Sequence, residues 1–435
     1  MRAVLLLCAA LWLGGCASER RPNLVLVVVD TLRADALAFS GGRFATPHAD
    51  AIAAEGVWFT RAYANSSWTL PSMASLLLSQ VGSHHGVVGF GSVLPEAAIT
   101  LTEALRDHGY ATAGFAANVL IEAGTGFEQG FDHFDVPVDL AGWGKTKLEL
   151  FPNAPAGVIT GLAVDWLASQ PLDRPFFLYV HYMEPHTPYR CSNGKQPCRD
   201  GAAALSEALV NERWNFTDAE ARLIRRLYGL EVTVFDVALG SLVAALRERD
   251  ALENTWIVIT ADHGELLGEG GRYLHGDSLE IPEIRIPLVI RGPKRQSGRV
   301  DTPVSLIDVA PTLLEIAAVP RPAGFRGRSL LPALRGGAID AVPVVSELFL
   351  RGEKTPRHRL VVVDAAGSTV LASDGAVTRR GLDPDAKATP AARSDLVTAL
   401  GERLEWIDFE GPDPSEAPPL SEAMRERLRA LGYAR

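Results

Sequence analysis

The stretch Ile257-Val258-Ile259-Thr260-Ala261-Asp262-His263-Gly264-Glu265 decides the fold class of this chain. Apolar and β-branched residues lead into polar ones with no turn between them, which is the pattern of a buried strand. In α/β proteins such strands deliver side chains to the carboxyl edge of the sheet, where ligands bind. Asp262 and His263 offer an oxygen and an imidazole nitrogen, a pair suited to zinc or manganese. Because most Asp-His dipeptides are solvated loop residues, this interpretation depends on the rest of the chain.

Two other predicted strands end in residues of the same kind. The continuous apolar run Leu24–Val29 is typical of a parallel strand buried on both faces, and Asp30 follows it directly. The apolar run 175–180 leads into a second polar cluster, formed by His181, Glu184 and His186. Two histidines and a glutamate at a strand end indicate a functional site rather than a single structural histidine.

A hydroxyl and a further histidine lie on two other segments. Pro71 is predicted as the first residue of a helix, because its missing N–H costs nothing there. Thr69 is then expected just before the helix, where free N–H groups favour an anion. Taken alone, Thr69 is better explained as a capping or loop threonine. The glycine-rich segment 268–277 is predicted as a loop that carries His275.

The alternation of strands and helices predicts an α/β fold with a mostly parallel sheet covered by helices on both faces. Further strands are expected at 57–59, 111–115 and 286–290, with a loop at 126–137. Helices are expected at 47–56, 101–108, 161–169, 219–248 (as one or two helices) and 306–316.

The composition changes after about Gly337, and the C-terminal part is predicted to be a small, mainly antiparallel subdomain. Strands at 344–349, 358–363 and 368–372 are expected there, the last two forming a hairpin. A proline-rich linker at 412–419 and a closing amphipathic helix at 421–431 complete it. The predicted domains are therefore a signal peptide at 1–15, a catalytic domain at 22–337 and the subdomain at 338–435.

Composition excludes some classes of function. The chain has 435 residues, of which 47% are apolar and 22% are charged, so it can bury a large core. Its net charge of -10 is spread along the sequence. Since no basic patch is present, we expect no nucleic-acid partner.

The N-terminus predicts export. A positive start, Met1-Arg2, precedes an apolar run at 3–13 that is too short to span a bilayer and fits a signal peptide. The segment Leu13-Gly14-Gly15-Cys16 resembles a bacterial lipobox, which implies cleavage before Cys16 and its lipidation. The alternative is an ordinary secretory signal with a chance cysteine. We therefore expect an exported lipoprotein, anchored to a membrane and periplasmic or on the cell surface.

The remaining cysteines agree with export. Cys191 and Cys198 flank a short Asn-Gly and Pro loop, which in an exported protein is most simply closed by a disulfide. A zinc pair is the alternative, but no second Cys or His pair lies near enough in sequence to complete a structural site.

Over residues 22–335 the chain resembles the sulfatase branch of the alkaline phosphatase superfamily. The matching segments are 23–35, 68–78, 181–189, 260–265 and 273–287, with a sulfatase-like ending at 428–433. The resemblance implies a divalent metal held by Asp30, Asp262 and His263 and bound also by the nucleophile, Thr69. It further implies that His186 and His275 bind the anionic oxygens of the ester or protonate the leaving group.

The chain departs from the sulfatase pattern in three respects. Sulfatases carry Cys or Ser, oxidised to formylglycine, where this chain has Thr69; oxidation of its secondary alcohol would give a ketone and not the aldehyde. Met73 replaces an arginine that supports the nucleophile. Thr31 follows Asp30 and His263 follows Asp262, in place of the Asp-Asp and Asp-Asn of a calcium-type site.

The set Asp, Thr, Asp and His instead resembles one metal site of relatives with a threonine nucleophile, including phosphodiesterases, phosphoethanolamine transferases and lipoteichoic acid synthases. The segments 262–265, 267–269 and 273–276 are especially similar to phosphoethanolamine transferases. This ligand set favours zinc or manganese over calcium. A full second metal site is not evident, although Glu184 and His181 could contribute to one.

We therefore expect a metal-dependent, sulfatase-family hydrolase acting outside the cytoplasm on an anionic ester of a lipid, glycan or small molecule. A phosphate ester is favoured over a sulfate ester because Thr69 cannot supply formylglycine. The alternatives are a sulfate-ester hydrolase that uses unmodified threonine, a phosphoethanolamine-type transferase to a lipid or glycan, and a sulfatase-like binding protein without turnover.

Overall fold

The computed structural model describes residues 20–89, 91–122, 124–137, 154–171, 173–189, 202–211, 213–350, 357–371, 376–381, 389–391 and 394. The predicted signal peptide with Cys16, the Cys191–Cys198 pair, the linker at 412–419 and the closing helix lie outside these residues.

The main sheet has eight strands, and the described residues form eighteen strands in all. The main sheet contains β1 (Asn23–Val29), β2 (Val57–Phe59), β4 (Ala111–Ala116), β5 (His133–Asp135), β6 (Phe176–Tyr182), β7 (Thr255–Ala261), β11 (Leu288–Arg291) and β12 (Gly298–Val300). Their order is β12-β2-β11-β7-β1-β6-β4-β5. Only β11 pairs antiparallel with its neighbours, so the predicted mostly parallel α/β sheet is confirmed.

Short strands form smaller sheets beside it. They are β3 (Ala62–Tyr63), β10 (Arg285–Ile286) and β13 (Val304–Ser305) in one sheet, and β8 (Leu266–Leu267) with β9 (Tyr273–Leu274) in another. The predicted strand at 286–290 is thus two strands in different sheets, because Pro287 lacks the N–H that a continuous ladder needs. The predicted loops at 126–137 and 268–277 contain β5 and β9 respectively.

Helices cover the sheet on both faces. They are α1 (Pro47–Glu55), α2 (Thr69–Leu78), α3 (Gly82–His85), α4 (Leu101–Asp107), α5 (Ala156–Ser169), α6 (Ala202–Val210), α7 (Asp218–Glu248), α8 (Ile281–Ile284), α9 (Val309–Ile316) and α10 (Leu331–Leu334). One group packs α1, α5 and α6 on α7, and the other packs α2, α4 and α10 on α9. Every residue of β1 and β6 is buried between these layers, which explains the apolar runs 24–29 and 176–180 within them.

The 31-residue helix α7 is long and apolar enough to cross a membrane by length and composition. Half of its most apolar window is buried within the fold, where it packs against α1, α5 and α6. The core helix of a protein without a membrane span can be equally long and apolar, so α7 alone is weak evidence for a membrane span.

The C-terminal part forms a separate five-stranded antiparallel sheet. Its strands are β14 (Val344–Leu350), β15 (Arg357–Asp364), β16 (Gly367–Leu371), β17 (Val377–Gly381) and β18 (Thr389–Pro390), and β15 with β16 forms the predicted hairpin. One face packs on Val81 and Ile307, and the other packs on Tyr63 and Ile284. The small sheet therefore shares apolar contacts with the main body, while the boundary at residue 337 stays a prediction.

The buried carboxyl of Glu283 on α8 makes stability depend on pH. Burial raises its pKa from 4.5 to about 8, although Ser278 and the N–H of Glu280 donate hydrogen bonds to it. Between pH 4.5 and about pH 8 the carboxyl of Glu283 is protonated in the folded state and ionised in the unfolded state. The contribution of Glu283 to the free energy of unfolding should therefore fall as pH rises through this range. The expected slope is up to roughly 1.4 kcal/mol per pH unit.

Glu283→Gln should remove this contribution, because its side chain does not titrate. Urea unfolding of both proteins at about pH 5 and about pH 8 measures the difference. Glu315→Gln, at an exposed carboxylate on α9, is the matched control and should leave the slope unchanged. An unchanged slope in Glu283→Gln would contradict the assignment.

Candidate active site

Strand β1 brings the candidate ligands together because it lies between β6 and β7. Both neighbours run parallel to it, with Val28 level with His181 on one side and with Thr260 on the other. Asp30 and Asp262 therefore follow adjacent strands at the same edge of the sheet. His181 lies within β6, one residue before the strand ends, and faces the same region.

Three buried side chains form a group that could hold a cation. One ligand atom each from Asp30, His181 and Asp262 lie within 4.8 Å of one another. His181 Nε2 is 3.5 Å from Asp30 Oδ2. All three side chains are fully buried, so they are unscreened by water.

The electrostatics of the two aspartates fit a bound cation. Burial and the charge of Asp30 raise the pKa of Asp262. Burial would also raise the pKa of Asp30, but His186, His181 and His263 together lower it. Among the residues that the structure describes, three atoms here have no hydrogen-bond partner, namely Asp30 Oδ1, His181 Nε2 and Asp262 Oδ2. A divalent metal would satisfy all three atoms, so the residues present fit the group that the family resemblance implies.

His263 borders the same space. Its Nε2 is 3.4 Å from Asp262 Oδ2 and 3.9 Å from Asp30 Oδ1. Its Nδ1 lies 2.9 Å from the carbonyl oxygen of Gly264, an acceptor, so Nδ1 carries the proton and Nε2 presents a lone pair.

Thr69 is the first residue of α2, whereas the sequence predicted it just before the helix. That prediction was wrong because Pro71 occupies the third helical position, where the N–H still has no partner within the helix. Thr69 is buried, and its Oγ1 lies 3.3 Å from His263 Nε2. The hydroxyl therefore lies at a helix N-terminus and beside the candidate metal ligands, a position where a helix favours negative charge.

Three imidazole rings lie in a row, beginning with His263 beside this hydroxyl. The ring centroid of His275 lies 4.4 Å from that of His263 and 5.0 Å from that of His186. The structure thus brings His186 and His275 together, as the resemblance implies. The imidazoles offer N–H donors to anionic oxygens at a site that also contains two carboxylates.

Glu265 orients His275. Its Oε1 lies 2.7 Å from His275 Nδ1, and Tyr189 donates its hydroxyl to Oε2 at 3.3 Å. Burial raises the pKa of Glu265 to about 7, while burial and the neighbouring charge of His186 lower the pKa of His275 to about 4. The pair is therefore uncharged mainly between about pH 4 and about pH 7, where Glu265 keeps its proton and His275 is neutral. The proton shared with Nδ1 decides whether the opposite nitrogen, Nε2, donates or accepts.

A backbone N–H and a side-chain amide hold the two aspartates. Thr31 has a φ of 56°, a conformation that is costly for a β-branched residue, and its N–H donates to Asp262 Oδ1 at 3.2 Å. Asn118, after β4, donates its amide to Asp30 Oδ2 at 2.7 Å. Each carboxylate thus keeps one oxygen fixed by a donor and one oxygen that accepts no hydrogen bond from the described residues.

The loop after β7 is locked to neighbouring segments. Arg33 donates to the carbonyl oxygen of Glu265 at 3.0 Å and to Glu269 at 2.7 Å. A Cβ at Gly264 would lie 2.0 Å from the carbonyl oxygen of Pro282, so only glycine fits there. These contacts fix the segment that carries His263 and Glu265.

Sequence reasoning assigned some roles differently from the structure. Glu184 was considered for a second metal site, but its Oε1 accepts from the N–H of Ala156 at the start of α5, and it is not in the described ligand group. His181 was given a weak role and lies in the centre of that group. Asn118 and the partner of His275, Glu265, were missed, although both polar residues follow apolar strands at the carboxyl edge of the sheet.

Comparisons with known proteins agree with this architecture. The family model described as Sulfatase matches residues 22–319. The arylsulfatase K of Danio rerio is 28% identical over 369 residues, which cover 73% of this chain and 68% of that protein.

Two solved structures share the fold. A phosphonate monoester hydrolase from Silicibacter pomeroyi aligns with a TM-score of 0.69 at 21% identity, covering 94% of this chain and 96% of that one. A 2-O GAG sulfatase aligns with a TM-score of 0.71 at 20% identity, covering 92% and 97%.

Proposed function

The chain belongs to the sulfatase family, and from that premise we propose that it is a metal-dependent hydrolase of phosphate esters that uses Thr69 as its nucleophile. One observation carries the proposal. The buried Thr69 hydroxyl lies 3.3 Å from His263 Nε2, at a helix N-terminus and beside the unpaired carboxylate oxygens of Asp30 and Asp262. That is the arrangement expected of an activated hydroxyl nucleophile.

The metal would be held by Asp30, Asp262, His263 and Thr69, and when bound it would lower the pKa of the hydroxyl and neutralise charge on the transferring group. Thr69 releases its hydroxyl proton to solvent, and its Oγ1 forms a bond to phosphorus as the bond from phosphorus to the leaving oxygen breaks. His275 or His186 gives a proton to that oxygen. Water then attacks phosphorus and displaces Thr69 Oγ1, which releases the phosphate product. The water gives a proton back to the histidine, and Thr69 Oγ1 takes a proton from solvent to restore the hydroxyl.

The preference for phosphate esters rests on the chemistry of threonine. A sulfatase that depends on formylglycine needs an aldehyde, and a secondary alcohol cannot yield one. The fold does not decide the substrate, since proteins of similar fold include a phosphonate monoester hydrolase and a 2-O GAG sulfatase. Met73 in place of the arginine of the sulfatase pattern is a second departure that supports a different ester.

We propose further that the enzyme acts outside the cytoplasm as a membrane-anchored lipoprotein. The support comes from the sequence, with its apolar run at 3–13 and Cys16 in a lipobox-like setting. A lipid anchor would keep the enzyme close to esters of lipids or surface glycans. Globomycin treatment of the expressing bacterium tests the anchor, because accumulation of the unprocessed precursor is expected only for a lipoprotein.

A paired assay tests the reaction. The soluble form that starts after Cys16 is saturated in turn with zinc, manganese and calcium, then given aryl phosphodiester, phosphomonoester, phosphonate monoester and sulfate ester substrates. Turnover of a phosphorus ester with zinc or manganese supports the proposal. Turnover of the sulfate ester alone would overturn it and favour a sulfatase with unmodified threonine.

Glu265→Gln tests the role of the histidine pair. The amide cannot hold the acidic proton shared with His275 Nδ1, so we expect kcat to fall by about 10²-fold while KM changes little. Glu269→Gln is the matched control, since Glu269 lies on the same loop and pairs with Arg33 rather than with His275. Equal losses in both variants would show that the loop, rather than the pair, is disturbed.

A further inference from the structure

His181 has a ring nitrogen that no group in the described part of the chain satisfies. The side chain is fully buried, and its Nε2 has no hydrogen-bond partner among the described residues. The same holds for Asp30 Oδ1 and Asp262 Oδ2. Since one ligand atom from each of these residues fits within a 4.8 Å group, the three face a common space. Unsatisfied buried polar atoms are rare and need an explanation.

We propose that His181 is a direct ligand of the active-site metal, which is then held by two imidazoles and not by the single imidazole of His263. The proposal rests on the metal dependence in the proposed function and deepens it. Family resemblance assigned ligand roles only to Asp30, Thr69, Asp262 and His263. His181 adds a nitrogen donor from β6, on the opposite side of β1 from β7.

Two buried residues select the tautomer that this role requires. The hydroxyl oxygen of Tyr179 lies 2.7 Å from His181 Nδ1. The same hydroxyl donates towards the sulfur of Met73 at 3.9 Å. With its proton directed to Met73, the Tyr179 oxygen accepts from Nδ1–H, which leaves a lone pair on Nε2 facing the carboxylates. A metal-binding histidine is commonly oriented in this way by a partner on its other nitrogen.

The alternative is that His181 only donates a hydrogen bond to Asp30. The atoms are 3.5 Å apart, yet the contact does not satisfy hydrogen-bond geometry, and Asp30 Oδ2 already accepts from Asn118 at 2.7 Å. A proton on Nε2 would also require Tyr179 to direct its own proton at Nδ1 and away from Met73. The observed contacts favour the ligand role.

This ligand set predicts which metal binds. Calcium is bound almost entirely by oxygen atoms, whereas imidazole nitrogens suit zinc and other transition metals. Two carboxylates, two imidazoles and the Thr69 hydroxyl therefore discriminate against calcium more strongly than a set with one imidazole. Met73 contributes indirectly. Its sulfur lies near the hydroxyl of Tyr179, and Tyr179 in turn orients His181. Sulfatases have an arginine where this chain has Met73.

The test is metal binding, measured apart from turnover. The metal-free full-length chain is titrated with zinc and with calcium by calorimetry, and its cobalt form is examined by visible absorption. His181→Gln should lower zinc affinity by more than about 100-fold, the upper range for loss of an outer-shell partner. It should also shift the cobalt spectrum and reduce the preference for zinc over calcium. Tyr179→Phe should lower zinc affinity by about 10- to 100-fold.

The matched control is His85→Gln, which changes a buried histidine that bonds to Ser75 outside the site. It should leave zinc affinity and the cobalt spectrum unchanged. Wild-type affinity and spectrum in His181→Gln would overturn the proposal, and if that variant fails to fold, wild-type zinc affinity in Tyr179→Phe would do the same. Weakened zinc binding without phosphate-ester turnover in the wild type would support the ligand role and refute only the proposed reaction.

Discussion

Thr69→Val is expected to abolish phosphate-ester turnover, lowering kcat by roughly 10⁴- to 10⁶-fold, as for loss of a nucleophile in other enzymes. Valine keeps the branched shape of the buried threonine and replaces its hydroxyl with a methyl group, so the fold and the other metal ligands, Asp30, Asp262 and His263, should persist. The wild type should also form phosphothreonine at position 69 when turnover is quenched with acid, and mass spectrometry of the peptide that contains this residue detects it.

Thr69→Ser is the matched control because it retains a hydroxyl at the same place. It should keep measurable turnover and form phosphoserine under the same quench. Activity of Thr69→Val close to that of the wild type would remove Thr69 from the reaction. Loss of activity in both variants, with metal still bound, would indicate that the threonine methyl group positions the hydroxyl.

Asp262→Asn is expected to have opposite effects on metal binding and on the stability of the metal-free protein. The variant should lose the thermal stabilisation that metal gives the wild type, which amounts to about 2.7 kcal/mol at a metal concentration of 100 times Kd. Without metal it should be more stable than the metal-free wild type. The reason is that burial and the charge of Asp30 already raise the pKa of Asp262, so the charged form is costly when no cation is present.

Melting curves with and without zinc measure both effects. Asp236→Asn provides the comparison, since Asp236 is also buried but accepts from the N–H groups of His48 and Ala49 at the start of α1. It should be less stable, because an amide has one acceptor oxygen for these two N–H groups, and it should keep the full zinc-induced shift. A zinc-induced shift in Asp262→Asn as large as that of the wild type would exclude Asp262 as a ligand.

The sequence predicted much of the site because its chemistry follows local patterns. A continuous apolar strand leaves its first polar residue at the edge of the sheet, so Asp30 and Asp262 could be placed there from sequence alone. Thr69 was found through its helix, although the start was misjudged, because a proline can occupy any position of the first turn. The resemblance to sulfatases supplied the role of each residue, which periodicity does not carry.

The contacts among these residues depend on features that no local pattern contains. The sequence determined that this chain is an α/β protein with ligand-type residues at three strand ends, because continuous apolar runs indicate buried strands. Only the tertiary structure decided that β1 lies between β6 and β7, which places His181 beside Asp30 and Asp262. The tertiary structure also decided that Glu184 contacts the start of α5 and that Glu265 contacts His275. Strand order and side-chain direction arise from contacts between segments far apart in the chain, so they are settled only when the whole core packs.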